Sequence, residues 1–148
     1  EQAGSNPYSI SASACPNVPD FRGVRIDPNA DGKSIRVQAD VGTPDGLLVG
    51  DGTTCSQPHE DVTIGHDSAT NTITRFDRGT DGAAVAWTDG VFTNLQFQYF
   101  DETMTVTADE DDIRVIRVTI TGRSRSARPG VSEGTTFTLE SDVRLKSQ

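Results

Sequence analysis

In NLQFQYF, residues 94–100, every second side chain is apolar: Leu95, Phe97 and Tyr99 alternate with Asn94, Gln96 and Gln98. A period of two puts one set on each side of an extended strand, and no helix can separate the two sets in that way. The pattern returns along the chain. SIRVQAD sets Ile35, Val37 and Ala39 against Arg36 and Gln38, DVTIG aligns Val62 with Ile64, and NTITRF follows a turn rich in Asp, Ser and Asn. IRVTIT aligns Ile116, Val118 and Ile120, and the last stretch sets Phe137, Leu139, Val143 and Leu145 against Thr138, Glu140, Asp142 and Arg144. One-sided alternation predicts half-buried strands of an antiparallel sheet with one wet face. Because no long amphipathic helix is legible, the dry face must pack on a second sheet or on a helix supplied from elsewhere.

Composition agrees with thin β-layers. At 148 residues the chain fits one domain with a true core. Its hydrophobic content of 33% falls below that of an ordinary globular chain. The 22 acidic against 13 basic residues give a net charge of −9, which argues against a nucleic-acid partner. No apolar run is long enough to span a membrane. Two cysteines, Cys15 and Cys55, in an acidic chain rich in Thr, Asp and Gly suggest one disulfide in an exported protein. Two buried free thiols are the alternative. A zinc site formed with His59 and His66 fits none of the compact ligand spacings.

Chemistry-bearing motifs are few. DPNADG, residues 27–32, matches the opening of a calcium loop, with Asp27, Asn29 and Asp31 at alternate positions and Gly32 for the sharp turn. The position where such a loop places a bidentate glutamate holds Gln38, so the same residues also read as a plain turn feeding a strand. Long polar loops are expected at 40–61 and 122–136, the second carrying Arg123, Arg125 and Arg128. A carboxylate run at Asp109–Asp112 reads as a solvated hairpin end, with local ion pairs to Arg114 and Arg117. Trp87, in AVAWTDGV, is expected in the core, with stacking of an exposed Trp87 together with Tyr99 on a sugar as the lesser reading. No nucleophile motif, zinc-helix motif or phosphate-cradling loop is present, so no active site is expected.

Taken in order, EQAGSNPY, SIRVQAD, EDVTIGHDSATNTITRFDRG, DGVFTNLQFQYFDE, DDIRVIRVTITGRSRS and FTLESDVRLKSQ resemble the globular part of PilW-like minor pilins and, more distantly, of J-type pseudopilins of type II secretion. EQAGSNPY looks like the turn that ends the long N-terminal helix in that group, with Ser5 where Tyr is common. The resemblance implies an α+β pilin-like head, here almost all-β, whose antiparallel sheet packs against a long helix upstream of residue 1. A few residual helical residues would then stand at Glu1–Gly4, together with exposed apolar surface. It implies a structural subunit, not an enzyme, that initiates, caps or builds a type IV pilus-like filament or pseudopilus. Its partners would be other pilins, and the membrane would be touched only through that helix, whose precursor N-terminus would be processed and methylated. The location would be a cell-surface filament or the periplasm, with inner-membrane anchoring before assembly, and no cofactor would be required. Arg123, Arg125 and Arg128 would be candidates for subunit contact. A Cys15–Cys55 bond fits maturation outside the cytoplasm. The alternative from another class is a secreted β-sandwich module that binds carbohydrate or a host surface, with two complete apolar sheet faces and an exposed aromatic platform.

Overall fold

The computed structural model describes residues 23–27, 31–39, 59, 61–124 and 134–145. Cys15, Cys55, Asn29, Arg125, Arg128, the helical residues expected at Glu1–Gly4 and most of the 40–61 stretch lie outside them. Among the described residues eight strands run in chain order: β1 Val24–Ile26, β2 Ser34–Gln38, β3 Asp61–Asp67, β4 Thr72–Asp77, β5 Val85–Ala86, β6 Phe92–Phe100, β7 Val115–Arg123 and β8 Thr136–Arg144. A 3-10 turn at Glu110–Asp112 precedes β7. Each alternating stretch of the sequence is a strand. The three-residue β1 and two-residue β5 are too short to show a period.

The strands form two antiparallel sheets, a five-stranded one in the order β1-β2-β3-β4-β5 and a three-stranded one in the order β6-β7-β8. Every neighbour in a sheet is also the neighbour in sequence, the simplest route for a chain built of hairpins. Of the two expected partners for the dry face, a second sheet is therefore present. Val24, Ile35 and Ile73 from the larger sheet meet Leu95, Phe97, Tyr99 and Ile116 from the smaller one, with Ile113 at the margin. Strand β6 is the shared wall and lies against β2, β3 and β4.

Register explains which side chains reach that core. Ile26 faces Ile35 and Ile35 faces Ile64 across the first three strands. On the smaller sheet Leu95 pairs with Ile120, Phe97 with Val118 and Tyr99 with Ile116. Directly paired residues share a face, so both apolar faces turn inward together. Tyr99 is an inward residue of the smaller sheet with an ionisable group. Burial, aided by the charges of Glu110 and Asp27, pushes its phenol up to about 12.

The β1–β2 turn also stitches the two sheets. Gly32 carbonyl accepts from Phe97 N–H at 2.6 Å, and Asp31 carbonyl accepts from Gln96 Nε2 at 2.9 Å. Gly32 is held at φ +74°, and a Cβ there would sit 2.2 Å from Gln96 Nε2 and 2.8 Å from Phe97 carbonyl oxygen. Only glycine satisfies both demands.

Four expectations need correction. Trp87 is 62% exposed instead of buried, because β6 covers β2–β4 and the short β5 edge extends past it. Gln38 and Asp61, on the side opposite Ile35, are buried instead of wet, because Asp61 is neutralised there by Arg36. Asp61, Gly122, Arg123 and Thr136, expected at loop ends, are strand residues, since Asp61 opens β3, Gly122 and Arg123 close β7, and Thr136 opens β8. Strand β8 is exposed along its whole length instead of half-buried.

Candidate functional site

The described residues carry two unusual surfaces. The first is the inner face of β8. Phe137, Leu139 and Val143 pair with Gly122, Ile120 and Ile116 of β7, so they continue the apolar face that forms the core. The larger sheet ends over β6, and the continuation is left open: Leu139 is 60% exposed and Val143 48%. Phe137 packs edge-on to Phe92 with ring centroids 6.4 Å apart. Gly122 makes room for this ring, since a Cβ there would stand 2.5 Å from Phe137 Cζ. The reverse face of the same strands is conventionally polar. Arg117 donates through Nε to Asp142 at 2.8 Å and through a second nitrogen at 3.0 Å, with Glu140 at 3.5 Å and Phe100 beneath its guanidinium at 5.2 Å. The hydrogen bond from Arg117, against a small cost of burial, holds the Asp142 carboxyl below its ordinary range.

The second surface lies on the larger sheet around β4 and β5. Arg75 and Asp77 share the face of Ile73, since they alternate with it along β4. Asp77 is wholly buried and accepts from Gly79 N–H at 2.9 Å, His59 N–H at 2.8 Å and the Arg75 guanidinium at 2.8 Å. Burial alone would raise its pKa. The Gly79 amide, the Arg75 guanidinium and the His59 amide outweigh that effect and keep it below the ordinary carboxylate value. Asp81 completes the group, accepting from Asp77 N–H at 2.8 Å and standing 3.7 Å from Arg75. On the opposite face Asp61 is bonded by Arg36, with Gln38 at 3.3 Å and Arg78 at 3.5 Å. These carboxylates are engaged by fixed donors and pin β2, β3, β4 and the turn after β4 to one another.

Asp27 and Asp31 are exposed at the two ends of the β1–β2 turn, with Asn29 between them outside the described residues. Two backbone carbonyls of that turn are directed at β6. Among the described residues no group of three or more His, Cys, Asp or Glu side chains is placed to hold a metal ion. Arg123 is exposed at the end of β7, and its N–H donates to Val91 carbonyl at 2.8 Å. The acidic run 109–112 forms the 3-10 turn, capped by the Asp109 side chain accepting from Asp111 N–H. Arg114 bonds the carbonyls of Asp111 and Ile113, and Arg117 reaches across to β8. His59 and His66, considered together for zinc, serve different partners. His59 Nδ1 lies 3.0 Å from Asp77, whereas His66 Nε2 bonds Phe92 carbonyl.

Sequence reading did not find the Arg75–Asp77–Asp81 group. A signal for it existed: in TITRFD two opposite charges occupy alternate positions in line with Ile73, a spacing that puts an ion pair on the apolar side of a strand.

The class these features define is a nearly all-β protein of two packed antiparallel sheets with one incompletely covered face. Comparison with protein-family models, curated proteins and solved structures finds no match. Among the described residues no helix is long and apolar enough to cross a membrane.

Proposed function

We propose that this chain is the globular head of a minor pilin or pseudopilin, a structural subunit that initiates, caps or builds a type IV pilus-like filament. The order of its strand motifs motivates the reading. The observation that carries it is the strip Phe137–Leu139–Val143, continuous with the core through β7 yet open on β8. A row of large apolar residues along one edge of a sheet wants a partner, because leaving it wet forgoes about 25 cal/mol per Å² of burial. A helix with an apolar stripe, laid along β8, would complete the two-sheet core as a third packing element. In the filament reading that helix lies upstream of residue 1, and its far half anchors the subunit in the inner membrane before assembly. The subunit then reaches the periplasm or a surface filament, and its partners are other pilins meeting the exposed loops.

The test is the intact mass and N-terminal sequence of the cell-associated protein. An apolar helix of about 25–30 residues ahead of Glu1, long enough to cross a bilayer, is the expected result. A cell-associated chain that begins at Glu1, with no helical subunit co-purifying, would overturn the reading.

A further inference from the structure

Trp87 is the only tryptophan of the chain, and its exposure of 62% is unusual for so large an apolar side chain. Its backbone is firmly held. Trp87 N–H donates to Ile73 carbonyl at 2.8 Å, and the next residue's hydroxyl, Thr88 Oγ1, accepts from Ile73 N–H at 2.9 Å. The indole is thus presented from a fixed edge of the sheet. Beside it Val85, 56% exposed, pairs in register with Arg75. Trp87, Val85, Ala86, Arg75 and Asp81 together line one open hollow of about 360 Å³.

We propose that this hollow binds neutral carbohydrate, with a pyranose ring stacked on Trp87 and its hydroxyls bonded by Arg75 and Asp81. Three features select that ligand class. An indole face takes the C–H face of a sugar ring, which is apolar, while the ring's rim needs donors and acceptors. Arg75 and Asp81 supply both. A guanidinium carries five donors, more than its contacts to Asp77, His59 and Asp81 consume, and each carboxylate oxygen of Asp81 has two lone pairs. Both groups are fixed through the buried Asp77, so ordering them on binding costs little. The local charge then disfavours acidic ligands, since Asp77 and Asp81 both stand against the guanidinium of Arg75. A protein partner is the weaker fit. Stable protein interfaces bury about 1,200–2,000 Å² in total, whereas the large exposed hydrophobics of this edge among the described residues are Val85 and Trp87. The site does not depend on the filament reading, because it lies on the β5 edge and not on β8.

Being the sole tryptophan, Trp87 reports on the site without a label. Its emission should be followed on titration with cellohexaose, chitohexaose and maltohexaose, with polygalacturonate oligomers as the acidic counterpart. The expected result is a saturable blue shift with at least one neutral oligosaccharide and none with the acidic one. Calorimetry should then show binding at least about tenfold weaker in Trp87→Ala and largely kept in Trp87→Phe. Both variants change an exposed side chain, and circular dichroism should show them folded. Emission unmoved by all three neutral sugars would overturn the proposal, as would undiminished binding in Trp87→Ala. A shift produced by raising the protein's own concentration, without sugar, would also overturn it and mark a contact between copies.

Discussion

Asp77 shows how one side chain can hold several elements. It sits at the end of β4 with no exposed surface, and its donors come from the turn that follows, from β4 itself and from His59 ahead of β3. Removing its charge would leave Arg75 beside a neutral group and weaken three hydrogen bonds together. Asp77→Asn, which keeps the shape, should cost about 2 kcal/mol or more of stability, read from chemical denaturation. The pH dependence has a definite sign. Because the folded pKa of Asp77 lies below its ordinary 3.8, the stabilisation is complete above that value and is lost as pH falls through the lower folded one. Acidification should therefore lower the Tm of the parent more than that of Asp77→Asn. Equal losses would show that Asp77 is not the group responsible. The exposed pair Arg117–Asp142 shares this geometry of charge on charge, but water screens it and it contributes far less.

Elements show what alternation can and cannot convey. The longer strands were legible because each carries a run of alternating residues, from Ser34–Gln38 through Phe92–Phe100 to Thr136–Arg144. Strands β1 and β5 were not, since a period of two needs more than two or three residues to appear. Alternation also assigns side chains to faces without saying which face is covered. Gln38 alternates to the side expected to be wet, yet Arg36 and Asp61 close over that side of the sheet. The residues of β8 were read as half-buried, yet the larger sheet stops at β6. DPNADG illustrates the same limit, because Gly32 serves the contact between sheets as well as the turn it was read for. Gly32→Ala tests that contact. A Cβ would meet both Gln96 and Phe97 at a positive φ, so the variant should lose about 1–3 kcal/mol. Amide exchange should accelerate at Phe97, whose N–H is held by the Gly32 carbonyl. Unchanged protection at Phe97 would mean that the turn is not what joins the sheets.

At the scale of the whole molecule, the two apolar faces are unequal. The larger sheet covers β6, and its outer edge at β5 carries the exposed Trp87. Beyond β7 the smaller sheet continues with an apolar face and nothing from the larger sheet above it. If that strip is the seat of a packing helix, altering it should spare the head and injure assembly. Leu139 is the residue to change: at 60% exposure it contributes little to the head's own core, and it pairs directly with Ile120 at the border of that core. Leu139→Arg should shift the stability of the isolated head by no more than about 0.5 kcal/mol, as surface substitutions do. In the full-length subunit, the buried arginine would lose its hydration where the helix meets the sheet, a cost of several kcal/mol. Recovery of the subunit in sheared filaments should then fall well below that of the parent. Thr138→Arg is the control, since Thr138 adjoins Leu139 on β8, is also exposed, and points to the polar face beside Thr121. It should assemble as the parent does. If Leu139→Arg and Thr138→Arg assemble equally well, the inner face of β8 seats no helix and the filament reading loses its main support.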